Sequence, residues 1–195
     1  ASNVQVDRQP FSGIPLMDGK FDPLTGKLAP FQLGDFVTWT LPYTYGQVMD
    51  SADAGHQAGE RQWLDFLSEG SGDQDIALLQ EFFGYCLSGS TEHQKSLWIY
   101  GPPGCGKSVI FKVLIAIVGE NRVAARQAEN FRSNFNADLS GKRLVYFPDY
   151  RHDPAHAKAA LGFLLNVAGD GPIRVEKKGK DAALERLMAK IVWSS

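Results

Sequence analysis

The sequence has few cysteines and lacks a long hydrophobic run. Cys86 and Cys105 are the only cysteines among 195 residues, which argues against a disulfide framework or a cysteine-based zinc site and suits a reducing compartment. No stretch approaches the ~18 consecutive apolar residues that a membrane-spanning helix needs. Residues 1–10 are polar and contain no apolar signal-peptide segment. We therefore expect a cytoplasmic protein with no membrane partner.

Charges are divided unevenly between the two halves of the chain. Residues 1–95 contain 5 Lys and Arg against 13 Asp and Glu, whereas residues 96–195 contain 15 against 9. The basic second half suits binding of a polyanion such as nucleic acid. An ordinary solvated surface would give the same composition, so charge alone does not decide between the two.

The most informative stretch is residues 101–108, which matches G-x-x-x-x-G-K-[ST] at every fixed position. An apolar run precedes it and an amphipathic run follows it, which predicts a strand, a phosphate-binding loop and a helix. The alternative is a glycine-rich turn, but a chance match in this length is on the order of one per cent. We expect this loop to bind ATP, with Lys107 on the β- and γ-phosphates and Ser108 on Mg²⁺. The loop consists of Gly101, Pro102, Pro103, Gly104, Cys105, Gly106, Lys107 and Ser108.

Two later apolar runs end in polar residues that suit the same site. Asp149 follows the run 143–148 and is predicted to hold Mg²⁺ directly or through water, although it could instead start a turn after Pro148. Ser194 ends the last apolar run and would place a hydroxyl near the γ-phosphate. We therefore predict Lys107, Asp149 and Ser194 as catalytic residues, with Ser108 and Asp149 at the metal. Tyr150 stands where many such enzymes have a second acid, and a tyrosine cannot act as a carboxylate base at neutral pH.

A group of four cations surrounds Gly179 near the end of the chain. A strand running into a tight basic turn is predicted there, and ammonium groups on such a turn neutralise phosphates without reading base sequence. A solvated hairpin tip is the alternative, and the turn by itself would favour it. The predicted DNA-binding residues are Arg174, Lys177, Lys178 and Lys180.

The pattern along the chain predicts an α/β protein in two parts. Residues 1–95 are expected to form a small α+β or helical module, with β-hairpins over 1–46, an exposed loop over 47–60 and helices over 61–69 and 73–87. Residues 96–195 are expected to form a P-loop NTPase core with a parallel sheet. Its predicted strands are 96–100, 121–126, 143–148 and 189–194, and its predicted helices are 107–118 and 155–168. The aromatic residues expected in the core are Trp63, Phe66, Phe82, Phe83, Trp98 and Trp193, the last two on central strands.

The ordered motifs resemble those of superfamily 3 helicases, the replicative ATPases of small DNA viruses, poxviruses, phages and plasmids. The primase–helicases of phages, plasmids and mobile elements are the most similar, and residues 13–28, 41–45, 63–67 and 79–87 resemble their module before the ATPase. Residues 173–180 resemble the B′ segment of parvoviral Rep helicases. The resemblance implies an AAA+-like core in a homo-oligomeric ring, usually hexameric, that translocates on single-stranded or forked DNA. It also implies that Lys178 and Lys180 contact DNA and that a neighbouring subunit's arginine finger completes each ATP site.

Two departures from the family pattern affect residues that serve ATP hydrolysis, whereas the residues expected to bind ATP are present. Tyr150 replaces the family's usual second acid, and the chain stops at Ser195, before the Asn of the sensor motif. We expect a fragment whose arginine finger lies beyond Ser195, and the sequence leaves open whether a primase domain precedes Ala1. Tyr150 favours one alternative, a P-loop protein that binds nucleotide to regulate an assembly without unwinding. A small-molecule kinase fits less well, because no arginine-rich lid follows the loop and residues 174–180 suit a polymer.

Overall fold

The structure is a computed structural model that describes residues 13–35, 37–50, 53–127, 137–150, 160–165, 167, 172–175 and 183–195. Of residues 172–174 and 183 it describes the backbone alone. None of the helices in these ranges is both long enough and apolar enough to cross a membrane.

The chain begins with a three-stranded antiparallel sheet. Its strands are β1 (Ile14–Leu16), β2 (Gly19–Asp22) and β3 (Lys27–Ala29), in the order β1-β2-β3. Leu16, Trp39 and Leu41 form a small buried cluster over it. The hydroxyl of Tyr43 donates a hydrogen bond to the carbonyl of Ile117 at 3.2 Å, which joins this part of the chain to its second half. Of the β-hairpins predicted over 1–46, those within residues 14–29 are confirmed, and residues 1–12 lie outside the described ranges.

Three helices follow the small sheet: α1 (Tyr45–Met49), α2 (Ala54–Gly70) and α3 (Asp73–Leu87). The predicted helix over 73–87 is confirmed, but the expectation of an exposed loop over 47–60 is wrong for most of that range. Thr44 starts α1 through a capping box. Asp53 starts α2 by accepting hydrogen bonds from the N–H groups of Gly55 and His56 at 2.7 and 3.0 Å. These small and polar residues form helices because the caps satisfy N–H groups that have no partner within a helix.

A four-stranded parallel sheet forms the centre of the second half. Its strands are β4 (Ser96–Ile99), β5 (Val123–Ala125), β6 (Leu144–Phe147) and β9 (Lys190–Ser194). They lie in the order β4-β9-β6-β5, and every neighbouring pair is parallel. Helix α4 (Lys107–Val118) follows β4. The parallel sheet is confirmed, with strands one to three residues shorter than predicted.

The remaining described α-helical residues and β-strands lie between β6 and β9. Residues 160–165 and 167 are helical and fall within the predicted helix over 155–168, whose other residues lie outside the described ranges. Strands β7 (Pro172–Val175) and β8 (Ala183–Arg186) pair antiparallel, with Pro172 opposite Arg186 and Val175 opposite Ala183. This pair, the β7–β8 hairpin, begins where the sequence predicts a strand, and the predicted basic turn lies outside the described ranges.

The parallel sheet separates two hydrophobic clusters. Leu144 and Val192 face the cluster that α2, α3 and α4 contribute to, while Val145 and Trp193 face the cluster on the other side. Successive residues of a strand point to opposite faces, and both faces of β6 and of residues 191–193 in β9 are buried, which is why these residues are apolar. The helical residues in the first cluster include Trp63, Phe66, Leu67, Leu79, Phe82, Phe83, Ile110, Phe111 and Leu114. The core packing predicted for the four helical aromatic residues is thus confirmed.

Trp98 was expected in the core, but it lies at the surface. In the described sheet β4 is an edge strand, and Trp98 is 50% exposed, whereas Trp193 on the central strand β9 is 3% exposed. The two rings stack with centroids 5.8 Å apart. An apolar run alone cannot distinguish a central strand from an edge strand, because that depends on how distant strands pair.

Candidate functional site

The phosphate-loop sequence forms the connection between β4 and α4. Gly104 and Gly106 have φ angles of +83° and +89°, in the left-handed region that favours glycine. Gly106 is the residue before α4, and no side chain caps this helix terminus. The first N–H groups of a helix have no intrahelical partner and attract anions. The local structure therefore offers an N–H lined terminus that suits a phosphate group.

Gly106 is also in close contact with helix α2. A Cβ atom built at this position would lie 2.7 Å from Cζ of Phe66, well inside van der Waals contact. The Phe66 ring stacks on Trp63 with centroids 5.6 Å apart, and Trp63 stacks on Phe83 at 6.4 Å. Three aromatic rings from α2 and α3 therefore support the loop from the side of the first half of the chain.

The side chain of Lys107 bonds to the loop itself. Its Nζ donates hydrogen bonds to the carbonyls of Gly101 and Pro102 at 2.6 and 3.0 Å and lies 3.6 Å from Sγ of Cys105. The ammonium group is thus held beside the turn of the loop, close to the N-terminus of α4. A bound phosphate would compete with these two carbonyls, since an ammonium group has three donors in total.

Three strand ends meet beside this loop. β9 lies between β4 and β6, with Ile99 opposite Ser194. The N–H of Ser195 donates to the carbonyl of Ile99 at 3.2 Å, and the N–H of Gly101 donates to the carbonyl of Ser195 at 3.3 Å. On the other side of β9, the N–H of Tyr150 donates to the carbonyl of Ser194 at 2.5 Å. The carboxyl ends of β4, β9 and β6 are therefore joined to one another by backbone hydrogen bonds.

Asp149 and Tyr150 follow β6 and have opposite environments. Asp149 is exposed and has a φ angle of +48°, a left-handed conformation that is uncommon outside glycine. Tyr150 is 6% exposed and packs edge-on against Trp98 and Trp193, with centroids 5.7 and 5.1 Å away. The carboxylate at this strand end is accessible, while the neighbouring tyrosine belongs to the core.

Ser194, the last residue of β9, is buried, whereas the next residue, Ser195, is exposed. Ser194 is 5% exposed. The hydroxyl oxygen of Ser195 accepts a hydrogen bond from Nε1 of Trp98 at 3.1 Å. Sequence reasoning missed the contacts of Trp98 and Phe66 with this region. No local signal could have revealed them, because each contact joins residues far apart in the chain.

Of the predicted DNA-binding residues, the structure describes only Arg174, on β7. The backbone of Arg174 pairs with Leu184 in the β7–β8 hairpin. Lys177, Lys178 and Lys180 lie outside the residues that the structure describes. Their assignment as DNA contacts therefore stays a prediction.

Comparison with known proteins gives one family match and several partial structural similarities. Residues 99–195 match the model of a family of unknown function (DUF5906), a range that contains the loop from Gly101, Asp149 and Ser194. The apo structure of the NrS-1 C-terminal region (residues 305–718) is 18% identical, with a TM-score of 0.45, and the similarity covers 52% of this chain and 24% of that one. The A form of the same region gives 20% identity, a TM-score of 0.43 and the same coverage. NtrX from Brucella abortus is 14% identical over 79% of this chain and 38% of its own, with a TM-score of 0.36. This chain thus spans about a quarter of the NrS-1 chains that it matches.

Proposed function

We propose that this chain contains the ATP-binding core of a superfamily 3-type DNA helicase that acts in replication. The observation that carries the proposal is the parallel order β4-β9-β6, which brings the loop of residues 101–108, Ser194 and Asp149 to one edge of the sheet. In open parallel sheets, ligands bind outside the carboxyl ends of the strands. The glycine-rich loop at a helix N-terminus adds the group that binds phosphate in such sites.

The residues at this edge have distinct roles in the proposal. Lys107 would exchange its carbonyl partners for the β- and γ-phosphates, and the N–H groups that begin α4 would hold the remaining phosphate oxygens. Ser108 and Asp149 would hold Mg²⁺. The fit is good, because Asp149 is exposed and supplies a carboxylate, and Mg²⁺ prefers oxygen ligands. Once bound, the metal ion would neutralise charge on the phosphates. Ser194 would act near the γ-phosphate through its hydroxyl.

The partner proposed for the second half is single-stranded or forked DNA. Residues 96–195 carry the excess of Lys and Arg; Arg174 is part of β7, and Lys177, Lys178 and Lys180 fall between β7 and β8 in the sequence. By its resemblance to superfamily 3, the chain would assemble as a homo-oligomeric ring, with hydrolysis moving Lys178 and Lys180 along the DNA backbone. DNA held through phosphates alone would be bound with little dependence on its sequence.

Burial of Tyr150 supports a second candidate function. Tyr150 is packed against Trp98 and Trp193, so its side chain would not orient an attacking water. An ATPase without that second acid would hydrolyse slowly and use nucleotide mainly to regulate an assembly. The two candidates share the phosphate loop and differ in whether DNA accelerates turnover.

The experiment that separates them measures ATP hydrolysis by the assembled protein with and without single-stranded DNA. A helicase is expected to show stimulation by DNA, and DNA binding that weakens steeply as salt rises. The Lys178→Ala, Lys180→Ala double variant should reduce the slope of log K against log salt by about 0.7 per lost contact. Lys95→Ala with Lys112→Ala is the matched control for lost charge. Unstimulated hydrolysis together with an unchanged slope would contradict the helicase and leave the assembly ATPase as the function.

A further inference from the structure

An open groove of about 630 Å³ runs along one face of α2. It is largely open to solvent, because the residues that line it all belong to one helix. The residues that line it recur at helical spacing and combine one aromatic ring with charged and amide groups. They are Ala58, Arg61, Gln62, Asp65, Phe66 and Glu69.

The groove and the phosphate loop share one wall. The ring of Phe66 lines the groove and at the same time contacts Gly106, where a Cβ atom would lie 2.7 Å from Cζ. Trp63 stacks on the same ring, so Phe66 is supported from within the helical layer. A ligand anchored by phosphates in the loop would therefore have the groove as a neighbour.

The polar groups of the groove are free to bind a ligand. Arg61, Gln62, Asp65 and Glu69 are all exposed. Within the part of the chain that the structure describes, none of their side chains takes part in an ion pair or a hydrogen bond. Gln62 offers both a donor and an acceptor, while Asp65 offers acceptors only.

We propose that this groove binds the base and ribose of the nucleotide whose phosphates occupy the loop of residues 101–108. The inference rests on the proposed function and adds the nucleoside part of the site to it. Phe66 would pack against the base, because aromatic faces stack on every base. Gln62 and Asp65 would bond to the polar edge of the base, and Arg61 and Glu69 to the ribose hydroxyl groups. The competing interpretation is a solvated helix face that contacts no ligand.

The test compares two ligands that differ only in the nucleoside. Isothermal titration calorimetry with ATP and with inorganic tripolyphosphate, each with Mg²⁺, separates the groove from the loop. ATP is expected to bind more tightly than tripolyphosphate. Gln62→Ala and Asp65→Ala should each weaken ATP binding by about three- to tenfold, the loss expected for one hydrogen bond, and leave tripolyphosphate binding unchanged.

Matched controls lie outside the groove on exposed helix positions. Gln80→Ala on α3 is the control for the amide, and Glu60→Ala on α2 is the control for the carboxylate. Both should bind the two ligands as the unmodified protein does. Equal affinity for ATP and tripolyphosphate, or unchanged ATP affinity in both groove variants, would overturn the nucleoside site while the phosphate loop stands. Failure of both ligands to bind would instead overturn the proposed function, and the groove proposal with it.

Discussion

The two ends of the parallel sheet each hold a lysine ammonium group against backbone carbonyls, but in opposite surroundings. At the carboxyl end, Nζ of Lys107 donates to the carbonyls of Gly101 and Pro102 in a partly exposed loop. At the amino end, Nζ of Lys190 donates to the carbonyl of Ser88 at 2.7 Å and lies 4.7 Å from the centre of the Tyr85 ring. Lys190 is 2% exposed, and burial lowers its pKa to about 8.

This difference shows that hydrogen-bond partners alone do not distinguish Lys107, which we propose binds phosphate, from Lys190, which is part of the core. The partners of Lys107 belong to a loop between the sheet and a helix terminus, where a phosphate could replace them without opening the core. The partner of Lys190 is Ser88, the C-cap residue directly after α3. The bond therefore joins the end of that helix to the start of β9. Solvent access decides which ammonium group can exchange its carbonyls for an anion.

The largest effect that we predict is at the carboxyl end. Lys107→Ala should weaken binding of ATP with Mg²⁺ by roughly 1.5–3 kcal/mol, which is about ten- to 150-fold, because a charge-assisted contact to phosphate is removed. Titration calorimetry measures this loss, and thermal unfolding should show a melting temperature close to that of the unmodified protein.

Lys112→Ala provides the matched control, since Lys112 is an exposed lysine on the same helix. Its ATP affinity should not change. Equal ATP affinity in Lys107→Ala and Lys112→Ala would show that Lys107 does not bind phosphate. It would thus contradict both the contrast between Lys107 and Lys190 and the assignment of the phosphate loop.

Gly106→Ala should produce an intermediate effect by straining the loop without removing a charge. The new Cβ would meet Phe66 at 2.7 Å, and the φ angle of +89° is unfavourable for alanine. We expect a loss of roughly 1–3 kcal/mol in unfolding free energy, measured by urea denaturation, together with weaker ATP binding. Gly84→Ala is the control, because a Cβ at this exposed position in α3 meets nothing within 4 Å. It should stabilise the protein by roughly 0.5–1 kcal/mol, and similar stability of both variants would refute the strain argument.

The sequence is sufficient to predict the loop, because Gly106, Lys107 and Ser108 work through neighbouring backbone and a fixed spacing. It also predicts the buried strands β6 and β9, because β6 and residues 191–193 of β9 carry apolar residues on both faces. It fails where the structure depends on distant partners. The exposure of Trp98 follows from the pairing order of the strands, and the contact of Phe66 with Gly106 joins α2 to a loop 40 residues later. Helix α2 was missed at its start because the side-chain cap from Asp53 outweighs the low apolar content of the residues that follow.

Lys190 was likewise not singled out from the sequence, since its partner Ser88 lies 102 residues earlier. Nothing in the pattern of residues 189–194 marks Lys190 as a buried cation. Lysine is almost never fully buried without a partner, and here the partners come from the end of a helix in the other half of the chain.

The smallest predicted effect concerns the dependence of stability on pH at the amino end. The pKa of Lys190 is lowered by burial from 10.5 to about 8, with the neighbouring Cys86 acting to raise it and Arg143 to lower it. Between these values the unfolded chain binds a proton that the folded protein does not. The stability linked to this group is therefore fully present above pH 10.5 and lost as the pH falls through 8. The free energy of unfolding should rise from pH 8 to 9 by less than ~1.4 kcal/mol. Cys86 opposes this rise in the same range, because burial raises its pKa from 9.0 to about 12 and the unfolded chain therefore loses the thiol proton first.

Lys190→Met supplies an apolar side chain of similar length and removes the titrating ammonium group, so urea denaturation at pH 8 and pH 9 should show no rise in stability. Lys112→Met, at an exposed position, should retain the slope of the unmodified protein. If Lys190→Met retained it as well, the ammonium at the amino end would titrate as it does in water, and the contrast between the two lysines would fail.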